Sequence, residues 1–278
     1  MKLLFLLVAV LSSAAVKACE QAKDPSRIAI AGGSITEILY FLGEESRIIA
    51  TDLTSTFPDE AQSFPSVGYV RGLSAEGILS LKPTLVLGEQ DMGPEEVVKQ
   101  LQKTSIDIRK IPELQSANGI TEKINCVASV IGKSIEAQAI IELELGPQLK
   151  SLRQIAEKDS AEGNFAILLM ISEGSPIVAG LNTSGHHLLL MSGRHNAFTK
   201  FDGWKPVSLE AIAATNPDYI IIADRRRGAN NVANSVKNNP AIRLTTAAKD
   251  DQIHMIDGMA LLGFGPRTLD VALRLADL

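Results

Sequence analysis

The sequence predicts an α/β protein of two lobes, each with a mainly parallel sheet flanked by helices. Three observations carry this. Short apolar runs alternate with helix-patterned segments in both outer parts of the chain. The middle is helical in pattern, with little strand character. A Ser–Glu–Ile–Pro pattern occurs twice at matching offsets.

Residues 1–18 stand apart. Met1-Lys2 is a short basic start, residues 3–11 are an apolar run, and Val16-Lys17-Ala18 fits a small-x-small cleavage pattern. That order predicts a secretory signal peptide. The apolar run is too short for a bilayer, which takes about 20 residues. The mature chain is therefore expected to be soluble outside the cytoplasm. Cleavage after Ala18 would make Cys19 the first mature residue, but Lys17 suits a lipoprotein cleavage site poorly. A lipid anchor is the less favoured reading.

Residues 27–31 (RIAIA) read as the first strand, and Gly32-Gly33-Ser34 as a turn into the helix ITEILYFLG, closed by Gly43. Further strands are expected over 47–51 and 84–88, and a helix over 95–104 before the apolar stretch 106–111. Residues 121–131 and 134–158 are helical patterns, the second bent or interrupted at Gly146-Pro147. Alternation resumes with a strand over 165–171, a helix over 186–192, strands over 219–223 and 252–256, and a last helix over 268–276. The expected division is an N-terminal lobe over 19–132, a connector over 133–160 and a C-terminal lobe over 161–278.

Ser74, Glu76, Ile78 and Pro83 match Ser208, Glu210, Ile212 and Pro217. Serine caps a helix, an acid in the first turn suits the helix dipole, and proline stops the helix before the next strand. Chance repetition of β-α-β grammar is the alternative to two related lobes.

The net charge of -5 argues against a general nucleic-acid binder. The chain carries no HExxH, GxSxG, GxGxxG or P-loop pattern, so it reads as a binding protein with no catalytic residue assigned. Gly32-Gly33-Ser34 could seat an anion at a helix start, with a tight turn and cap as the favoured reading. Cys19 and Cys126 form no metal or redox motif. A disulfide between them is open in an oxidising compartment, and a buried thiol is the favoured state of Cys126. Arg225-Arg226-Arg227 follow a strand end, where ligands bind in open α/β sheets, and could hold carboxylates or phosphates. A solvated charge run is the plainer alternative.

Tyr69-Val70-Arg71 reads as a loop. A tyrosine phenol is a weak ligand while protonated, a nearby guanidinium favours the phenolate, and that hard oxygen suits ferric iron, including heme iron. By itself the motif is weak, and a surface hydrogen bond is the favoured reading of its spacing.

From about residue 27 to its end, the chain resembles the periplasmic heme-binding proteins of bacterial ABC importers, within the larger group that also binds cobalamin and ferric siderophores. AGGSITEILYFLG and SLEAIAATNPDYIII resemble the broad group; VGYVRGLSAEGILSLKPTLVLG and DGMALLGFGPRT resemble the heme branch. The resemblance implies two lobes joined by one long rigid connector helix, with the ligand in the cleft between them. It implies Tyr69 as axial ligand to ferric heme, supported by Arg71 and assisted by one of Arg225, Arg226 and Arg227. Glu76 and Glu210 match the residues that dock on a permease dimer with its ATPase subunits. A periplasmic monomer follows, with an outer-membrane heme receptor upstream and no nucleic acid.

Residues 171–174 (ISEG) lack the histidine that some relatives use for a second stacked heme, so one heme is expected. His186-His187 stand where relatives carry small or acidic residues. Aromatic content is only 4%, so the pocket is expected to be aliphatic, with Met92, Met259 and Phe264 as contacts and His187 as a further ligand-facing residue. Cobalamin or a ferric siderophore on the same scaffold is the alternative cargo.

Overall fold

The computed structural model describes residues 18–157, 163–169, 175–224 and 236–278. The expected signal peptide lies outside them, except for Ala18. By its internal contacts the chain divides into two units. The first runs up to Leu114 and includes Asn118–Gly146; the second is Gln115–Ala117 with Pro147–Leu278.

The first unit contains β1 (Ile28–Ala31), β2 (Ile48–Ala50), β3 (Gly68–Tyr69), β4 (Gly72–Leu73), β5 (Leu85–Glu89) and β6 (Asp107–Ile111). Four of these form a parallel sheet in the order β2-β1-β5-β6. β1 is buried at every position and β5 at all but its last. Such unbroken apolar runs suit strands covered on both faces. The helix Gly33–Phe41 carries the chain from β1 to β2. It ends as the sequence predicts: Gly43 takes φ 69, its amide donates to the Tyr40 carbonyl, and the Glu44 amide reaches back to Leu39 at 2.9 Å.

Cys19 and Cys126 are joined in a disulfide, with their Cα atoms 4.8 Å apart. This corrects the expected free thiol. Cys126 is buried as expected. The N-terminal segment, however, runs back along the helix Ala117–Val130, where the Ala22 amide donates to Val130 at 2.9 Å. That path brings Cys19 within bonding reach.

The helical stretch after residue 133 is two helices, Ser134–Glu144 and Gly146–Ala156. The break falls at Leu145, and Pro147 sits in the first turn of the second helix, where its missing N–H leaves no bond unmade. Residues 158–160 lie outside the described residues. Among the described residues no helix is long and apolar enough to cross a membrane.

The second unit contains β7 (Asn164–Leu169), β8 (Ile177–Ala179), β9 (His195–Asn196), β10 (Trp204–Pro206), β11 (Tyr219–Asp224) and β12 (Ile253–Asp257). β7, β11 and β12 are parallel, while β8 runs antiparallel to β7 and β10 antiparallel to β8. β9 pairs with β7 off the main path. The sequence reading missed β8, β9 and β10. They are two or three residues long, and β10 ends on a proline that only an edge strand tolerates.

A buried cation closes this unit. Arg194 donates from Nε to the Leu275 carbonyl at 3.1 Å and from Nη2 to Ala276, and its guanidinium lies 5.6 Å from the Phe165 ring centre. It thereby satisfies carbonyls that the last turn of helix Pro266–Ala276 leaves unpaired, at the negative end of the helix dipole.

Gly88 on β5 has no room for a methyl group, because the buried Met92 side chain lies over it. Gly88→Ala is expected to overpack this core at a cost of about 1–3 kcal/mol. Thermal unfolding followed by circular dichroism should show a lower Tm, by roughly 2–4 °C per kcal/mol.

Candidate ligand-binding site

The strand order places a topological switch between β1 and β5. The chain leaving β1 turns toward β2, and the chain leaving β5 turns toward β6. Crevices beyond the carboxyl ends of such strands are where open α/β sheets bind ligands.

Here the turn after β1 is bonded by the protein's own polar groups. Gly32 follows β1 with φ 144, and the Glu89 side chain occupies the space a Cβ would need. The amides of Gly32, Gly33 and Ser34 donate to Asp52 Oδ1 (3.1 Å), Thr54 Oγ1 (2.8 Å) and Glu89 Oε1 (3.1 Å). The helix start is therefore a tight turn capped by residues distant in sequence, and its amides are already engaged. Ser34 Oγ also donates to Glu89 Oε1 at 2.6 Å. Behind it lies Lys123, whose side chain is 2% exposed and which donates to Ser34 Oγ at 3.2 Å and pairs with Glu113. Burial pushes the Glu89 carboxyl up to about 7, against the opposing pull of Lys123 and the Ser34 hydrogen bond. Burial likewise raises Asp52, against hydrogen bonds from Thr54, Ser55 and Gly32. The sequence reading singled out none of these acids. The one local signal was an acid closing the apolar run TLVLGE.

Tyr69-Val70-Arg71, expected as a loop, is the core of a small hairpin. Gly68 pairs with Leu73 and Tyr69 with Gly72. Backbone hydrogen bonds stitch it down on both sides. Leu53 donates to Gly68, Leu73 donates to Gly93, and Gly93 donates to Val70, each at 2.9 Å. Val70 and Leu73 are buried in the first unit's core, and the half-buried Tyr69 packs against it.

Arg71 points back over the turn. Its Nη1 donates to the Tyr69 hydroxyl at 3.2 Å, and its Nε donates to Asp91 Oδ2 at 2.7 Å. Nη2 lies 2.5 Å from the same oxygen. Partial burial disfavours the Arg71 charge, but the Asp91 hydrogen bond and charge outweigh it and raise the guanidinium above its ordinary value. Asp91 was not foreseen. Leu53, 65% exposed, supplies apolar surface on the segment bonded to the hairpin.

The other expected contacts fare differently. Met92 is 1% exposed and Phe264 is 0% exposed, so both lie in the core of this structure. Met92 is drawn inward because the chain after β5 turns over Gly88. Phe264 is buried with the amino-terminal residues of the last helix. Met259 is half-buried and packs over Gly263. His187 is half-buried, with Nδ1 2.8 Å from Gln115 Oε1. Burial and the neighbouring His187 push His186 down. Arg225, Arg226 and Arg227 follow β11 and lie outside the described residues, as do residues 171–174.

Glu76 and Glu210 occupy the same helical position in their respective units, and both are exposed. Ser74 Oγ accepts from the Gly77 amide, and Ser208 Oγ accepts from Ala211, each at 3.2 Å. The sequence echo is thus a repeated local structure.

Residues 28–259 match the family described as periplasmic binding protein. A solved periplasmic heme-binding protein from Pseudomonas aeruginosa is 33% identical, with a TM-score of 0.79 over 90% of this chain and 91% of that one. An ABC transporter substrate-binding lipoprotein of Bacillus subtilis is 24% identical over 92% of this chain and 80% of its own length. A vitamin B12-binding protein of Pectobacterium atrosepticum is 25% identical over 71% of each chain.

The Glu89 carboxyl sets a pH test. Its raised value means the folded protein holds a proton there that the unfolded chain releases near pH 4.5. This contribution to stability is full below that pH and is lost as pH rises through about 7. Glu89→Gln, measured by denaturant unfolding, should therefore gain stability relative to the native protein between pH 5 and pH 8.

Proposed function

The chain belongs to the periplasmic binding protein family, and from that premise we propose that it captures ferric heme outside the cytoplasm and delivers it to an ABC-type permease. The observation that carries this reading is the Tyr69 oxygen, held on a stitched hairpin with an Arg71 N–H directed at it. A phenolate oxygen binds ferric iron, and a donor on that oxygen favours the ionised form. The Pseudomonas relative named as heme-binding supports the choice of cargo. Leu53 offers apolar surface beside the hairpin, and burying it against the macrocycle contributes at roughly 25 cal/mol per Å².

In this reading one of Arg225, Arg226 and Arg227 pairs with a propionate, as a guanidinium fork does with any carboxylate. One heme binds per chain, since residues 171–174 supply no histidine. Capture and delivery involve no covalent chemistry. Glu76 and Glu210, repeated at one exposed helix position in the two units, meet basic pockets on two related permease subunits. Export uses the signal segment 1–18. The Cys19 sulfur is committed to Cys126 and so is not free for a lipid thioether, which favours a soluble periplasmic form.

Cobalamin is the second reading, supported by the vitamin B12-binding relative. An absorption titration of the mature protein with each ligand separates the two. Ferric heme should saturate at one equivalent with a tyrosinate-type spectrum. Tyr69→Phe should lose that spectrum and weaken binding by at least about tenfold, or ~1.4 kcal/mol. Saturation by cobalamin alone would put the second reading in place of the first. Glu76→Lys combined with Glu210→Lys should abolish heme uptake by cells while leaving the titration unchanged; preserved uptake would remove the docking role.

A further inference from the structure

Arg71 is a long side chain on a two-residue turn, and its side chain is 62% exposed. Left to itself, such a side chain spreads over many rotamers in water, and ordering it costs entropy. Its guanidinium nevertheless has a defined place, set by a second anchor. Asp91 Oδ2 takes both Nε and Nη2, which leaves Nη1 directed at the Tyr69 oxygen.

The segment that carries Asp91 is itself fixed. Met92, the next residue, is buried in the core, and its amide donates to the Glu89 carbonyl at 3.0 Å. Gly93 then bonds the Tyr69 hairpin at its turn and at its second strand, donating to Val70 and accepting from Leu73. Asp91 and Arg71 thus stand on two backbone segments tied directly to each other. Their separation is set by main-chain bonds rather than by the exposed ion pair.

We propose that Asp91 is a positioning residue for the iron ligand: it aims the Arg71 guanidinium at the Tyr69 oxygen and so holds that oxygen ready to bind ferric heme iron. The inference rests on the heme reading above and adds to it a residue whose side chain bonds Arg71.

The sign of one measurement separates aiming from simple charge balance. If Asp91 only neutralised Arg71, its removal would leave the guanidinium charge less compensated and would favour the phenolate. If Asp91 aims Arg71, its removal lets the guanidinium drift into solvent and the phenolate loses its donor. The experiment is an acid titration of the heme-loaded mature protein, following the pH midpoint at which the tyrosinate spectrum is lost. Asp91→Asn is expected to keep one-equivalent binding and to raise that midpoint by roughly half to one pH unit. Asp91→Glu should recover most of the shift, which also covers the case of an Asn variant that folds poorly. In an Arg71→Gln background, Asp91→Asn should produce no further change. A midpoint that falls or does not move, or that shifts equally in the Arg71→Gln background, overturns the proposal. A native protein that binds no heme overturns the heme reading, and one whose heme spectrum is unchanged by Tyr69→Phe overturns Tyr69 as the iron ligand; either outcome removes the proposal.

Discussion

Where the chain leaves β5, it can lie against its neighbours only because two residues lack side chains. Gly88 leaves space that Met92 fills, and Gly32 leaves space that the Glu89 side chain fills. A Cβ at Gly88 would press on the Met92 side chain, beside Asp91 and Gly93, which bond the Tyr69 hairpin. A Cβ at Gly32 would displace the carboxylate that caps the first helix. The position of Tyr69 is therefore set by close packing beneath it rather than by the hairpin, since a two-stranded ribbon of this size is not stable alone in water.

The same packing decides which polar groups are available. In many α/β proteins the first turn after β1 offers its amides to an anion. Here Asp52, Thr54 and Glu89 already occupy them, and Lys123 lies behind with Glu113 and Ser34 as partners. The exposed Arg71–Asp91 pair is different in kind. Pairs at such exposure contribute about 0–1 kcal/mol to stability, so the value of this one lies in where it holds a guanidinium. Inner carboxylates bond the turn after β1, and an outer carboxylate orients a cation at the surface.

The second unit reuses one local device and adds others. Its Ser208 cap and Glu210 repeat the Ser74 and Glu76 arrangement. Its sheet is extended by antiparallel β8 and β10 and closed by Arg194 against the end of the last helix. An arginine buried to 8% exposure persists there because helix-terminal carbonyls accept its hydrogen bonds and an aromatic face covers it.

By itself the sequence determined what depends on near neighbours. The buried parallel strands, the left-handed Gly43 stop, the helix break just before Gly146-Pro147 and the paired serine caps all follow from residues within one turn or one strand of each other. Tyr69 and Arg71 stood out through the resemblance of VGYVRGLSAEGILSLKPTLVLG to the heme branch, since their spacing alone reads as a surface hydrogen bond. Tertiary structure alone decided the rest. Asp91 lies twenty residues from Arg71, Glu89 fifty-five from Ser34, and Cys19 one hundred and seven from Cys126. Periodicity says nothing about partners at those separations. Met92 and Phe264 look like pocket residues in a sequence poor in aromatics, yet both are core residues. Their apolar character specifies burial, and only the path of the folded chain specifies against what.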